Sequence, residues 1–152
     1  MLTITKGYKP EDIDSIHNLE NACFSRPYRW SKQDLTSSLE TVNTHVWVGV
    51  YDSKVVGYVL VEIDKDETTG HVVSLCVDPS CQQQGFGKLL MEEAETSLKK
   101  LGVRKMRLEV QVDNPAQVLY FKLGYRVVGV TQKYYSNGTA GITMVKPLKR
   151  RS

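Results

Sequence analysis

Residues 71–112 constrain the fold most. The run "HVVSLCV" (71–77) is apolar and β-branched, and it ends at Asp78-Pro79. The run "KMRLEVQV" (105–112) is a second strand. Between them, Phe86, Leu89, Leu90, Ala94, Leu98 and Leu101 recur at helical spacing, which predicts a helix over 85–101. Glu95 and Lys99 fall on the opposite face at the supportive i,i+4 spacing, and Gly102 ends the helix. A strand–helix–strand unit of this kind is a right-handed crossover between parallel neighbours.

The flanking segments are antiparallel in character. "HVWVGVYD" (45–52) and "VVGYVLVEI" (55–63) form a hairpin about Asp52-Ser53. "YRVVGVTQKYY" (125–135) and "GITMVKP" (141–147) form another around Asn137-Gly138. Leu2 to Lys6 is a short first strand. Pro10, with Glu11 and Asp12 behind it, suits the first helical position of a helix whose stripe is Ile13, Ile16, Leu19, Glu20 and Cys23. Ser31 and Asp34 resemble a cap for a short helix to about Leu39. Asn114-Pro115 opens another helix, which runs to about Lys122 and stops at Gly124. The fold class is therefore α+β, a mixed and mostly antiparallel sheet with about four helices. No repeat or linker interrupts it, so residues 1–152 are expected to be one domain.

Composition narrows the function. Hydrophobic residues make up 41% and charged residues 24%, ordinary values for a soluble globular chain. No apolar run is long enough to span a bilayer, and Met1 to Lys6 reads as a strand, so no membrane association is expected. A formal charge of +3 does not by itself imply nucleic-acid binding; the basic 146–151 segment reads as a solubilising tail. The three cysteines, Cys23, Cys76 and Cys81, are odd in number and lack metal-ligand spacing. That argues for a reducing, cytoplasmic setting and against a disulfide framework or a metal site.

The helix over 85–101 begins unusually, at "CQQQGFGK" (81–88). Glycine costs a helix about 1 kcal/mol relative to alanine. A glycine-bearing turn between a strand and a helix N-terminus is, however, a ready anion site. The first-turn amides lack intrahelical partners, and the helix dipole favours negative charge. The spacing is neither a P-loop nor GxGxxG.

The chain resembles the GCN5-related N-acetyltransferases (GNAT). Gln82-Gln83-Gln84-Gly85-Phe86-Gly87 matches the family's [RQ]-x-x-G-x-[GA] pyrophosphate loop, and "NPAQVLYFKLGY" (114–125) is similar to its next signature. The order of elements agrees over nearly the whole chain. The spacing from Asn114 to Tyr120 is one residue shorter than usual. Within the family, "GHVVSLCV" (70–77), "LEV" (108–110), "CFSRPYRW" (23–30) and "YYSNG" (134–138) resemble segments of the protein Nα-acetyltransferases.

The resemblance implies acetyl-CoA as cofactor, lying along Leu75, Cys76 and Val77. Its pyrophosphate would meet the amides of Gln82, Gln83, Gln84, Gly85, Phe86, Gly87 and Lys88, near Asn114. Glutamine stands where the family often has arginine, so backbone donors would carry most of that contact. Glu109 stands where resembling enzymes place a general base, and His71 is a second candidate of suitable pKa class. The alternative is that Glu109 is only the polar half of the Leu108-Glu109-Val110 alternation. Tyr120 takes the family's general-acid position. Cys76 is a rival nucleophile, but its apolar run favours packing.

Phe24, Pro27, Tyr28, Tyr134 and Tyr135 are expected to form an aromatic slot for the first residues of an extended peptide. The implied reaction is acetyl transfer to a protein N-terminal α-amino group, on ribosomal or nascent chains, by a monomer or weak homodimer. The competing readings are transfer to a lysine or small-molecule amine, and a non-catalytic acetyl-CoA-binding or ribosome-associated module.

Overall fold

The computed structural model describes residues 1–23, 31–132 and 140–148. Its elements in chain order are β1 (Thr3–Lys6), α1 (Asp12–Cys23), α2 (Lys32–Leu39), β2 (Thr44–Tyr51), β3 (Lys54–Ile63) and β4 (Thr69–Val77), then α3 (Phe86–Lys100), β5 (Lys105–Gln111), α4 (Ala116–Lys122), β6 (Arg126–Thr131) and β7 (Gly141–Pro147). The strands form one sheet in the order β1-β2-β3-β4-β5-β7-β6. Every neighbouring pair is antiparallel except β4 and β5, the two strands joined by α3.

Helices cover both faces of the sheet. On one face, Phe86, Leu90, Met91, Ala94 and Leu98 of α3 pack against Val59, Val61, Met106 and Leu108. On the other, Ile16 and Leu19 of α1 and Leu35 and Leu39 of α2 pack against Val46, Val48, Tyr58 and Leu60. Cover on both sides explains why β3 is a continuous apolar run instead of an alternating one. Ser31 caps α2 as its sequence suggests, its Oγ accepting the Asp34 N–H at 3.1 Å.

β4 touches β5 only briefly. The pairs are Thr69–Lys105, Gly70–Met106 and His71–Arg107. Immediately beyond, the β3–β4 register slips: Val61 faces Val72, and Leu60 faces Ser74. Val73 is the extra residue of a bulge, which bends its strand and increases the local twist. Among the described residues, Val72–Val77 and the far half of β5 therefore diverge, opening a notch in the sheet.

Four expectations need correction. Pro10 precedes α1, which starts at Asp12, whose carboxylate accepts the Lys9 N–H at 2.8 Å. On α3, Leu89 and Leu101 are exposed while Met91 and Glu95 are buried. Glu95 sits beneath the surface because Lys146 Nζ donates to its Oε1 at 2.6 Å and the Tyr125 hydroxyl to its Oε2 at 2.8 Å. Most consequentially, Cys23 and Cys76 form a disulfide, which overturns the reading of the cysteine count. The bond ties the last residue of α1 to β4, and Cys81 is the free thiol. The turn at Asn137-Gly138 lies outside the described residues. None of the described helices is long and apolar enough to cross a membrane.

Candidate active site

The loop between β4 and α3 is shaped by its backbone. Asp78 closes a short 3-10 turn (Pro79–Cys81), its carboxylate accepting from the Ser80 N–H at 2.9 Å and hydroxyl at 2.8 Å. These bonds, the backbone one foremost, hold the Asp78 carboxyl below its ordinary range. Gln83 (φ +67°) and Gly85 (φ +81°) then take left-handed conformations. Gly85 is the α3 N-cap with no side-chain bond, and the first intrahelical bond runs from Leu89 N–H to Gly85 C=O at 3.1 Å. The amides of Phe86, Gly87 and Lys88 thus begin the helix without an intrahelical acceptor.

The two glycines do different things. A Cβ on Gly85 would meet nothing within 4 Å, so that position is set by conformation. A Cβ on Gly87 would stand 3.3 Å from Leu119 and 3.8 Å from Val77, on the two walls of a cleft. The cleft, about 630 Å³, separates β4 and its loop from α4. Leu75, Cys76 and Val77 line one wall and Asn114, Leu119 and Tyr120 the other. Gln82, Gln83, Gly85, Phe86, Gly87 and Lys88 close the helix end. These residues fit a CoA pyrophosphate: helix-start amides face a cleft that a side chain at 87 would enter.

Two loop residues depart from expectation. Gln84 does not line the cleft. The Gln82 carboxamide donates to Val77 C=O at 3.1 Å, so it braces the loop against the end of β4. Asn114 lines the cleft, and its Oδ1 accepts the Ala116 N–H at 2.8 Å, capping α4. Tyr120 is buried, edge-on to Tyr125 with ring centroids 5.9 Å apart. Cys76 is buried, and its sulfur is bonded to Cys23, which also borders the cleft. It offers no thiolate in this state.

Glu109 and His71 do not line the cleft. They sit at the apex of the notch, where β4 and β5 part. Met106, Leu108 and Val110 face α3, so by alternation Arg107 and Glu109 face the α1/α2 side. There His71 Nε2 lies 2.8 Å from Glu109 Oε1. Arg107 Nη1 lies 3.2 Å from each Glu109 oxygen, and Arg107 Nη2 lies 3.6 Å from Asp64 Oδ2. Sequence reasoning found the first two residues of this chain and missed the last two. The Arg107-x-Glu109 spacing on one strand face was the available signal; Asp64 left none. Phe24, Pro27, Tyr28, Tyr134 and Tyr135, the expected peptide slot, lie outside the described residues.

A sheet split between two parallel strands, with a glycine-started helix beside the split and a paired carboxylate and imidazole at its apex, is the frame of a CoA-dependent acyltransferase. Residues 13–125 match the acetyltransferase (GNAT) family, and the chain belongs to it. It is an acetyl-CoA-dependent N-acetyltransferase. It is 31% identical over 142 residues to the putative ribosomal protein bS18-alanine N-acetyltransferase of Bacillus subtilis, covering 91% of each chain. It is 29% identical over 155 residues to the N-alpha-acetyltransferase of Saccharolobus solfataricus, covering 94% of this chain and 92% of that one. The crystal structure of the ribosomal-protein-S18-alanine N-acetyltransferase from Escherichia coli shares the fold, with a TM-score of 0.86 at 24% identity over 100% of this chain and 97% of that one.

Proposed function

We propose that this chain acetylates the N-terminal α-amino group of proteins, by direct attack of the amine on acetyl-CoA within a ternary complex. The observation that carries the reading is the notch itself. Cofactor residues border it on one side, and a paired carboxylate and imidazole stand at its apex. The relatives in Bacillus and Saccharolobus support the choice of amine, since both are N-acetyltransferases of proteins or α-amino groups by name.

When bound, acetyl-CoA supplies an activated acyl group. The chain's own residues supply the rest. An α-amino group has a pKa of about 8, against about 10.4 for lysine, so a modest base suffices at neutral pH. Glu109, bonded to His71, takes the amine proton directly or through the imidazole or a water. Tyr120, on the cleft wall, returns a proton to the leaving sulfur. Main-chain amides of Leu75 and Val77, on the β4 edge that β5 leaves open, are the donors available to a developing oxyanion. The cysteine pairing favours direct attack over a cysteinyl intermediate.

The test is acetyl-CoA turnover against a library of N-terminal peptides beside lysine side-chain substrates and polyamines. Peptides with a free α-amine are expected to react and Nα-blocked ones not. Turnover confined to small amines overturns the reading.

A further inference from the structure

We propose that Arg107, anchored by Asp64, is a positioning residue that fixes the catalytic posture of Glu109. The proposal rests on Glu109 being the proton acceptor. Four polar side chains from the three adjacent segments around the notch run in one line, Asp64–Arg107–Glu109–His71. Arg107 and Glu109 share the α1/α2 face of β5, and Arg107 forms the last cross-strand pair, with His71, before β4 and β5 part. The guanidinium therefore stands where backbone pairing stops and side chains must take over.

The geometry is specific. One Arg107 nitrogen is equidistant, at 3.2 Å, from both Glu109 oxygens. That bifurcated contact, together with the His71 bond, restrains the tilt of the carboxylate. It leaves Oε1 directed at His71 Nε2, 2.8 Å away. The Glu109 side chain is 12% exposed and that of Arg107 33% exposed, so the carboxylate has lost most of its water and the guanidinium replaces it.

Asp64 supplies the other end. It follows β3 directly, and its amide is bonded to Thr69 C=O at 2.8 Å, so its main chain is fixed to the start of β4. Its carboxylate lies 3.6 Å from Arg107 Nη2. Arginine suits the task because its guanidinium presents several donors in a rigid plane. Lysine offers a point charge with no fixed plane, so it supplies the charge without the alignment.

The test is steady-state kinetics on Arg107→Met, Arg107→Lys, Glu109→Gln and the Arg107→Met/Glu109→Gln double variant, each with a thermal melt. Arg107→Met is expected to lower kcat by about tenfold or more, with the KM for acetyl-CoA within about twofold. Arg107→Lys should recover part of the loss. In the Glu109→Gln background, Arg107→Met should cost little more, because the group it positions is gone. A full additional loss in the double variant, or wild-type kcat in Arg107→Met while Glu109→Gln is impaired, overturns the proposal. Wild-type kcat in Glu109→Gln instead overturns the reading of Glu109 on which it rests. If Arg107→Met does not fold, Arg107→Lys decides: unchanged kcat with an unchanged melt overturns the proposal.

Discussion

β4 carries a different kind of chemistry at each end. At its C-terminal end, the proposed cofactor cleft offers main-chain groups at the helix start: a left-handed glycine, a braced turn and the amides that open α3. At its N-terminal end, the apex is built from side chains held by one another, His71 to Glu109 to Arg107 to Asp64. Main-chain groups are fixed by the fold and present at every pH, so they suit binding. Side-chain groups move protons, so they suit the chemical step, but their posture depends on their neighbours. Substitutions at the two ends should therefore separate KM from kcat.

The largest effects belong to the side chains proposed to move protons, Glu109 at the apex and Tyr120 on the cleft wall. Glu109→Gln and Tyr120→Phe are each expected to lower kcat by about 100- to 1000-fold, the range of a lost general acid or base. The KM for acetyl-CoA should move only a few-fold, since the α3 amides are untouched. A large rise in KM with kcat preserved, measured by steady-state assay, breaks the division.

The disulfide comes next in size of effect, and it crosses the division by tying α1 to β4 beside the cleft. Closing 53 residues of chain with one bond is worth about 2–4 kcal/mol. For a chain of this size, 1 kcal/mol corresponds to about 2–4 °C in Tm. Reduction with a dithiol should therefore lower the melting temperature by roughly 5–15 °C, and Cys23→Ser should melt at the lower temperature with or without reductant. Equal melting of wild type in both conditions sinks the assignment.

What the sequence disclosed divides along the same line. "QQQGFG" is legible because its parts are contiguous and its amides come from the local strand–turn–helix order, whatever the rest of the chain does. A family likeness reaches Glu109 and Tyr120 but not their surroundings. Arg107 meets Asp64 only because β5 lies beside β4 and the β3–β4 turn ends next to it. Cys23 meets Cys76 only because α1 packs across that strand. Helical spacing puts Glu95 on the face opposite the apolar stripe because it cannot see Lys146 and Tyr125, which arrive from further along the chain. Pairwise contacts across the sheet are the part that composition and periodicity do not carry.

Within the main-chain half, the two glycines sharpen the comparison further. Gly85→Ala forces a left-handed conformation on an L side chain and should cost about 1–2 kcal/mol in stability, read as a lower Tm. Gly87→Val has no such backbone cost but enters the cleft beside Leu119. It should raise the KM for acetyl-CoA by about tenfold, the scale of overpacking one site, while the fold persists. If Gly85→Ala impairs binding and Gly87→Val does not, the assignment of conformation to one and space to the other is reversed.

The smallest effect tests whether any titrating group props up the main-chain half. Asp78 accepts the Ser80 amide and hydroxyl at the turn that leads into the loop, and those bonds hold its carboxyl below the ordinary 3.8. The folded state therefore binds fewer protons there than the unfolded chain. The stabilisation is fully present above the unfolded value and is lost as pH falls through the folded one. Asp78→Asn keeps an oxygen for the amide but not the charge, so its Tm should sit slightly below wild type at neutral pH. Melts taken downward from pH about 7 should show a constant gap until near pH 4, then convergence as the wild-type carboxyl is protonated. A gap that persists undiminished at the lowest pH would mean that the side chain acts by shape alone, leaving the cofactor loop without an ionised prop and the contrast with the apex sharper than drawn.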